Sequence, residues 1–142
     1  MKGYRMSEVV YKQDCENVDW NEMREVLIAD DFHNGRTNEQ YKTSFANSSS
    51  VVIAYADGRI IGTARVLSDG VCNAYVVDVW TLSKFRNQGI ASQMMQLLTE
   101  NLHGQHVYLQ SDDAVDFYYK LGYQDQPKGL SRIIGEWLVN KP

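Results

Sequence analysis

The amino-acid sequence predicts one α+β domain, with a mixed, mostly antiparallel sheet flanked by helices. Short turns at Asp57-Gly58 and at residues 68–70 separate three apolar runs, and an Asp-Gly turn between such runs is a strong hairpin signal. Two amphipathic segments precede these runs, and a strand, a polar loop and a helix occupy residues 79–98. At 142 residues, the chain suits a single domain over residues 1–142 that buries roughly two-thirds of its unfolded surface.

The first third of the chain predicts a strand and two helices. Residues 8–12 alternate weakly and fit a first strand. Asp19 suits the N-cap of a helix that runs to residue 30, residues 31–37 read as a loop, and residues 38–46 predict a second helix. The inward-facing side chains expected on these helices are Trp20, Met23, Leu27, Ile28, Tyr41 and Phe45.

The remaining elements follow from apolar runs and glycines. Antiparallel strands are predicted over residues 51–56, 59–67 and 71–81. A helix from about residue 87 should end at His103-Gly104, where glycine suits the C′ position. The last predicted elements are a strand over residues 106–110, a helix over 113–121 stopped by Gly122, and a pair of strands around Tyr123 and over 131–139.

The loop over residues 82–88 has the features of an anion site. It carries the cations Lys84 and Arg86 and leads through Gly89 into a helix whose apolar face repeats from Ile90 to Leu98. The free N–H groups at a helix N-terminus attract anions, and glycine allows a close approach. A tight turn without a ligand explains the same residues equally well, so the loop alone does not decide between the two.

Two motifs resemble the signatures of one protein family. Residues 86–91 read R-N-Q-G-I-A, which matches [Q or R]-x-x-G-x-[G or A], and residues 114–123 read A-V-D-F-Y-Y-K-L-G-Y, which is similar to a helix reading A-x-x-F-Y-x-x-L-G followed by an aromatic. In this order they resemble the GNAT superfamily of N-acetyltransferases. The resemblance implies a GNAT-like fold and acetyl-CoA as co-substrate. It places the CoA diphosphate on the backbone of Arg86, Asn87, Gln88, Gly89, Ile90 and Ala91.

A closer likeness concerns one branch of that family. Residues 64–71, A-R-V-L-S-D-G-V, and Pro127-Lys128-Gly129 resemble the plastid and cyanobacterial branch that includes serotonin (arylalkylamine) N-acetyltransferases. The chain departs from that branch at residues 81–85, T-L-S-K-F, and at Ala91, where a second glycine is more usual. The first departure bears on the acceptor amine, whereas alanine is allowed by the CoA-binding pattern.

The resemblance also implies donors for the acetyl thioester and a contact for the pantetheine arm. In the family, a backbone N–H at the end of the fourth strand polarises the carbonyl, which carries over to Trp80, Thr81 and Leu82. Ser111 lies where the family often places a polar residue against pantetheine. A helix N-cap role for Ser111 or Asp112 fits the sequence equally well.

Tyr118 is the residue that the resemblance implies as general acid for the leaving thiolate. A phenol of pKa ~10 can protonate the conjugate base of a thiol of pKa ~8.5. Phe117, Tyr118 and Leu121 are also spaced as core residues of a helix, so plain packing is the alternative. Tyr119 is the neighbour most easily confused with it.

Asp78 is the candidate general base, because a carboxylate in so apolar a run needs a reason to be there. Period-two alternation places Asp78 and Trp80 on one face of the strand and its other neighbours on the opposite face. Pairing with Arg65 on the preceding strand is an equal alternative. The residues expected to rim the acceptor pocket are Asp30, Asp31, His33 and Glu39.

Three functions fit these expectations. The leading one is acetyl-CoA-dependent N-acetylation of a small primary amine. The second is the same chemistry on a protein lysine or N-terminus, and the third is a non-catalytic acyl-CoA-binding sensor module. We expect a monomer or homodimer.

Composition and charge exclude other classes. A net charge of −4 argues against a nucleic-acid partner, and no run approaches the ~18 apolar residues of a membrane helix. The histidines show no zinc-ligand spacing, so no metal is expected. With no signal peptide at its N-terminus, the protein is expected in the cytoplasm, or in the stroma if its source has plastids.

Overall fold

A five-stranded sheet organises the chain in the computed structural model, which describes residues 8–139. The strands are β1 (Val9–Lys12), β2 (Ser50–Ala56), β3 (Arg59–Ser68), β4 (Asn73–Thr81) and β5 (His106–Tyr108). The helices are α1 (Trp20–Ala29), α2 (Asn38–Ala46), α3 (Ile90–Thr99) and α4 (Val115–Lys120), with a 3₁₀ turn at Ser83–Phe85. The strand order is β1-β2-β3-β4-β5, antiparallel except for the parallel β4–β5 pair. The predicted mixed, mostly antiparallel α+β fold is confirmed.

Hydrogen bonds with capping side chains stabilise the N-termini of α1 and α2, and a two-residue turn connects β2 to β3. The Asp19 carboxylate accepts the Glu22 N–H at 2.9 Å, and Thr37 forms a reciprocal capping box with Gln40. In the β2–β3 hairpin, Asp57-Gly58 has two positive φ angles, 51° and 74°, as a type I′ turn requires. The longest helices of the described chain have 10 residues, and none could cross a membrane.

Buried side chains form one cluster on each face of the sheet. The α1–α2 cluster comprises Met23, Leu27, Tyr41, Phe45, Val51, Ile53, Ile60 and Trp80. The α3 cluster comprises Val52, Ala54, Ala56, Ile61, Ala64, Val66, Ala74, Val76, Ile90, Met94, Met95, Leu98, Leu102 and Tyr118.

A β-bulge interrupts the pairing of β3 with β4. Arg65 pairs with Val77 and Thr63 with Trp80, so Asp78 and Val79 together face one residue of β3. Asp78 has a φ of 53°, in the left-handed region. Before the bulge Val76 faces the α3 cluster, whereas after it Trp80 enters the α1–α2 cluster. Strict alternation along the strand does not anticipate this change of face.

β4 and β5 are paired only at one end. The parallel register joins Asn73–Tyr75 to His106–Tyr108. Within residues 8–139, no strand pairs with β4 on this edge beyond Tyr75. The half of β4 that contains the bulge is therefore open on the side of β5.

Two helix predictions are wrong in detail. Ile28 is 45% exposed, because the inward stripe of α1 runs through Met23 and Leu27 and the next residue is turned by about 100°. Helix α3 ends at Thr99 rather than at His103, because the chain tightens there: the Leu102 N–H bonds to the Thr99 carbonyl. Gly104, with a φ of 85°, lies in the turn that follows.

The predicted final pair of strands is also wrong, since residues 123–139 contain no strand. Pro127 lacks an N–H for a ladder, and Lys128 and Gly135 have φ angles of 58° and 68°. These conformations interrupt an extended run. The large apolar side chains left exposed here are Leu130, Ile133, Ile134, Trp137 and Leu138.

Candidate active site

The loop between β4 and α3 has the backbone geometry that an anion site needs. Asn87 and Gly89 have φ angles of 64° and 80°, and α3 begins at Ile90 directly after them. No side chain in the described part of the chain caps this helix, and its first backbone bond is from Gln93 N–H to the Gly89 carbonyl. The N–H groups of the first turn are therefore left for a ligand at the positive end of the helix dipole.

Gly89 fits a diphosphate at this point for two reasons. Its φ of 80° disfavours any residue with a side chain, and a Cβ built there would meet no atom within 4 Å. The space before the helix is open, so packing does not require glycine. The cations Lys84 and Arg86, both exposed, lie on the same loop.

The Asp30 carboxylate fixes this loop from the end of α1. Its Oδ2 accepts the Trp80 indole N–H at 2.8 Å and the Ser83 backbone N–H at 3.1 Å, and lies 3.8 Å from the Arg86 guanidinium. Burial would raise the pKa of Asp30, but the bonds from Ser83 and Trp80 and the charge of Arg86 together lower it. The sequence predicts Asp30 at the rim of the acceptor pocket, whereas the structure places it against residues 82–88, the expected cofactor loop.

The end of β4 offers fewer backbone donors than expected. The Leu82 N–H donates to the Ile61 carbonyl at 2.8 Å, so it cannot polarise a thioester. The carbonyl oxygen of Thr81 accepts a hydrogen bond from Arg86 Nε at 3.2 Å. The buried side-chain hydroxyl of Thr81 has no hydrogen-bond partner among the described residues. The expected donor role of Leu82 is wrong, whereas the roles of Trp80 and Thr81 stay predictions.

Asp78 lies between two guanidinium groups. Its two carboxylate oxygens accept from Arg36 Nη1 and Nη2 at 2.9 Å each, and Arg65 Nε lies 2.6 Å from Oδ2. Burial would raise the pKa of Asp78, but the bonds and charges of the two arginines outweigh it and lower the pKa. The predicted pairing with Arg65 is confirmed. The role as general base stays a prediction, for which a lowered pKa is unfavourable.

Arg36 is a site residue that the sequence does not reveal. It lies in the loop between α1 and α2, 42 residues before Asp78, and is only 7% exposed. The available signal is an arginine in a short polar loop, which is common on protein surfaces.

Tyr118 and Tyr119 are separated by their surroundings on α4. Tyr118 is 8% exposed and packs edge-to-face on Phe117 and Tyr123 at centroid distances of 4.9 and 5.8 Å. Burial, with smaller effects of Tyr123 and Asp113, raises the pKa of Tyr118 to about 12. Tyr119 is 46% exposed and donates its hydroxyl to Asp125 at 2.5 Å. Only Tyr118 belongs to the α3 cluster.

A cavity of about 1200 Å³ brings Tyr118 and Ser111 together beside β5. Ser111 also accepts the Ala114 N–H at 3.0 Å, which shapes the turn before α4. The N-cap of α4 is Ala114, so the expected N-cap role of Ser111 or Asp112 is wrong, whereas the pantetheine contact of Ser111 stays a prediction. The cavity does not include residues 86–91. Further lining residues with aromatic rings or carboxylates are Tyr75, His106, Tyr108, Asp112, Tyr119, Tyr123 and Asp125.

Comparison with known families decides the relationship. A model of the acetyltransferase (GNAT) domain matches residues 47–125, which span β2 to the residues after α4. The chain belongs to the GNAT family. The GNAT match covers both predicted signatures, residues 86–91 and 114–123, and this family uses acetyl-CoA as co-substrate.

Curated relatives of this GNAT chain are longer proteins. Histone acetyltransferase TAP1 from Glycine max is 29% identical over 86 residues, which cover 58% of this chain and 36% of that protein. GCN5-related N-acetyltransferase 2, chloroplastic, from Arabidopsis thaliana is 29% identical over 76 residues, 51% of this chain and 30% of that protein. The chain thus matches about a third of the length of these relatives.

Solved structures support the GNAT fold along most of the chain. One is an acetyltransferase of the GNAT family from Streptococcus pneumoniae TIGR4, which superposes with a TM-score of 0.76 at 23% sequence identity. The superposition covers 91% of this chain and 100% of that protein. At this identity the likeness concerns the fold alone.

Proposed function

We propose that this GNAT chain is an acetyl-CoA-dependent N-acetyltransferase that acts on a small primary amine. The observation that carries the proposal is the uncapped N-terminus of α3 behind Gly89, which coincides with the first GNAT signature. The N–H groups of Ile90 and Ala91, with the cations of the loop, would hold the CoA diphosphate. Acetyl-CoA, when bound, supplies the acetyl group as a thioester.

Tyr118 Oη holds the proton that the departing sulfur needs in this proposal. Within residues 8–139 its hydroxyl makes no hydrogen bond, so it is available to a ligand in the cavity that it lines. The raised pKa keeps the phenol protonated but makes it a weaker acid. The same apolar surroundings would also raise the pKa of the leaving thiol, so the pKa values of the phenol and of the thiol would rise together.

The lining of the cavity supports a small aromatic amine as acceptor. Tyr75 and Tyr108 offer aromatic rings, and Asp112 and Asp125 offer carboxylates to a protonated amine. The likeness of residues 64–71 to the serotonin N-acetyltransferase branch favours the same class, and one relative is named chloroplastic. An arylalkylamine is therefore the acceptor that we propose.

Acetylation of a protein lysine or N-terminus is the second candidate. It is supported by the name of one relative, histone acetyltransferase. A lysine side chain is itself an alkylamine, so it could use the same carboxylates. A non-catalytic sensor is the third, and the presence of Tyr118 at the cavity argues against it.

An amine panel separates these candidates. Acetyl-CoA is mixed with the protein and, in turn, with arylalkylamines, aliphatic amines and basic peptides, and free thiol release is measured. We expect release with arylalkylamines above the rate in buffer and little with peptides. Release with peptides alone would support the protein acetyltransferase. CoA binding by calorimetry without release on any acceptor would leave the sensor.

A further inference from the structure

The bulge in β4 places a left-handed residue inside a strand. Asp78 has a φ of 53°, a conformation that aspartate tolerates better than most residues but that is uncommon between two strand residues. The ladder between β4 and β5 stops at Tyr75, three positions before the bulge. On the open edge of β4, the direction of the backbone N–H groups therefore depends on how the bulge is fixed.

Three residues, one from the loop between α1 and α2 and two from β3, bond to Asp78. Arg36 grips the carboxylate with both terminal nitrogens at 2.9 Å, and Arg65 bonds to it from β3 at 2.6 Å. The Thr63 hydroxyl donates to the Asp78 carbonyl oxygen at 2.9 Å. Side chain and backbone of the bulge residue are thus held at the same time.

Arg36 is itself rigidly placed. Its Nε donates to the Asn34 side chain at 2.9 Å, its guanidinium lies 4.4 Å from the centroid of the Tyr41 ring, and its carbonyl accepts from Arg24 at 3.2 Å. A planar guanidinium that bonds through both ends fixes the angle of a carboxylate as well as its distance. The loop between α1 and α2 therefore determines the orientation of the bulge across the sheet.

We propose that Arg36 is a positioning residue for acetyl transfer, acting through Asp78 on the β4 bulge and its open edge. The inference rests on the proposed acetyltransferase function. It requires no contact between Arg36 and a substrate. It also accounts for a second arginine at Asp78, since one arginine alone would neutralise the carboxylate.

The test compares Arg36→Gln with Arg59→Gln. Arg59 is a matched control because it also pairs with an acid, Glu22 at 3.7 Å, but its side chain is 77% exposed and lies at the far hairpin. A misplaced reacting group can cost about 10²-fold in rate, so we expect kcat to fall by about that factor in Arg36→Gln. CoA affinity, which depends on residues 86–91, should stay within about twofold in calorimetry. Arg36→Lys, which keeps the charge but loses the two-point grip, should recover only part of kcat.

A double-mutant cycle and a backbone measurement complete the test. If Arg36 acts through Asp78, Arg36→Gln combined with Asp78→Asn should lose no more kcat than Asp78→Asn alone. In NMR spectra without ligand, the amides of Val79 and Trp80 should shift in Arg36→Gln and stay in place in Arg59→Gln. Should Arg36→Gln not fold, Arg36→Lys takes its place in both experiments.

Several outcomes would overturn the inference: parental kcat in Arg36→Gln or, in its place, Arg36→Lys; additive losses in the cycle; or unmoved amides. A parent protein without turnover on any acceptor would instead overturn the proposed function, and the inference with it. If the parent turns over an acceptor and the Arg36 variant has the same kcat, the inference is rejected and the proposed function stands.

Discussion

At the scale of single residues, two adjacent tyrosines show how burial selects a candidate acid. The sequence places Tyr118 and Tyr119 on one short helix, and the family motif favours the first. In the structure Tyr118 lines the cavity without a bond to its hydroxyl in the described chain, whereas the hydroxyl of Tyr119 is bound to Asp125. The two side chains therefore form a natural pair of variant and control.

Replacing Tyr118 by phenylalanine should lower turnover by roughly 10²–10⁴, the usual effect of a positioned general acid. The ring remains, so the fold and the calorimetric affinity for CoA should be preserved. Tyr119→Phe removes the bond to Asp125 but not the proposed acid, so its turnover should fall far less than that of Tyr118→Phe. Tyr118→Phe with turnover within about a factor of two of the parent would remove this residue from the mechanism.

Asp30 is a second residue whose surroundings define a test. The pKa of Asp30 is lower in the folded state than the value of about 3.9 expected in the unfolded chain. The charged carboxylate therefore contributes its full stabilisation above about pH 4, and the fold loses this contribution as the pH falls through the folded-state pKa. Asp30→Asn should therefore lower the Tm by about 2–5 °C at pH 7 for each kcal/mol lost, and the difference from the parent should shrink below pH 4.

Asp31→Asn is the control for this measurement. Asp31 is exposed and has a φ of 62°, which asparagine also tolerates, so its Tm should follow that of the parent at every pH. A constant gap between Asp30→Asn and the parent down to pH 3 would show that the charge of Asp30 does not stabilise the fold.

At the scale of elements, the N-terminus of α3 can be separated from ordinary turn strain. Gly89 and Gly58 have φ angles of 80° and 74°, and a Cβ at either would meet no atom within 4 Å. Valine at each position should cost similar backbone strain, about 1–2 kcal/mol or somewhat more for a β-branched residue. Only Gly89→Val should abolish CoA binding in calorimetry. Equal CoA affinity in the two variants would mean that the diphosphate site lies elsewhere.

Most element bounds could be predicted because their signals are local. The Asp19 cap, the box of Thr37 with Gln40 and the Asp57-Gly58 turn each act within four residues, and the elements beside them were predicted to within two residues. The failures depend on distant contacts. The end of α3 follows from the return of Leu102 into the core, and the β4 bulge follows from the pairing with β3.

At the scale of the whole molecule, the candidate site is only partly contained in motifs. The cofactor loop and Tyr118 come from contiguous patterns, and those could be found in the sequence. The bond from Arg36 to Asp78 joins residues 42 apart, and that from Trp80 to Asp30 joins residues 50 apart. Neither is a periodic or spaced pattern, so only the folded sheet, which brings the end of α1 to the end of β4, makes them visible.

Heating should abolish the proposed acetyl transfer before it unfolds the sheet. Tyr118 lies on a helix of six residues that follows the three-residue strand β5, whereas β3 is paired on both sides over most of its length. Short elements with few partners open at lower free energy than core strands. Activity should therefore fall several degrees below the Tm from far-UV circular dichroism, and the two temperatures should approach each other when CoA is bound. Coincident midpoints without ligand would contradict this.

On this prediction, the short pairing of β4 with β5 would set the temperature range of activity separately from the overall stability of the fold. Substitutions that strengthen the β2–β3 hairpin would raise the global unfolding temperature and leave the upper limit of activity unchanged. A crosslink or a better-packed contact between α4 and β4 would raise the upper temperature limit of activity and leave the global unfolding temperature unchanged. If so, selection for activity in a warmer habitat would act first on this margin of the sheet. Amide hydrogen exchange at His106, whose N–H donates to the Cys72 carbonyl, would report a stronger pairing that a melting curve does not show.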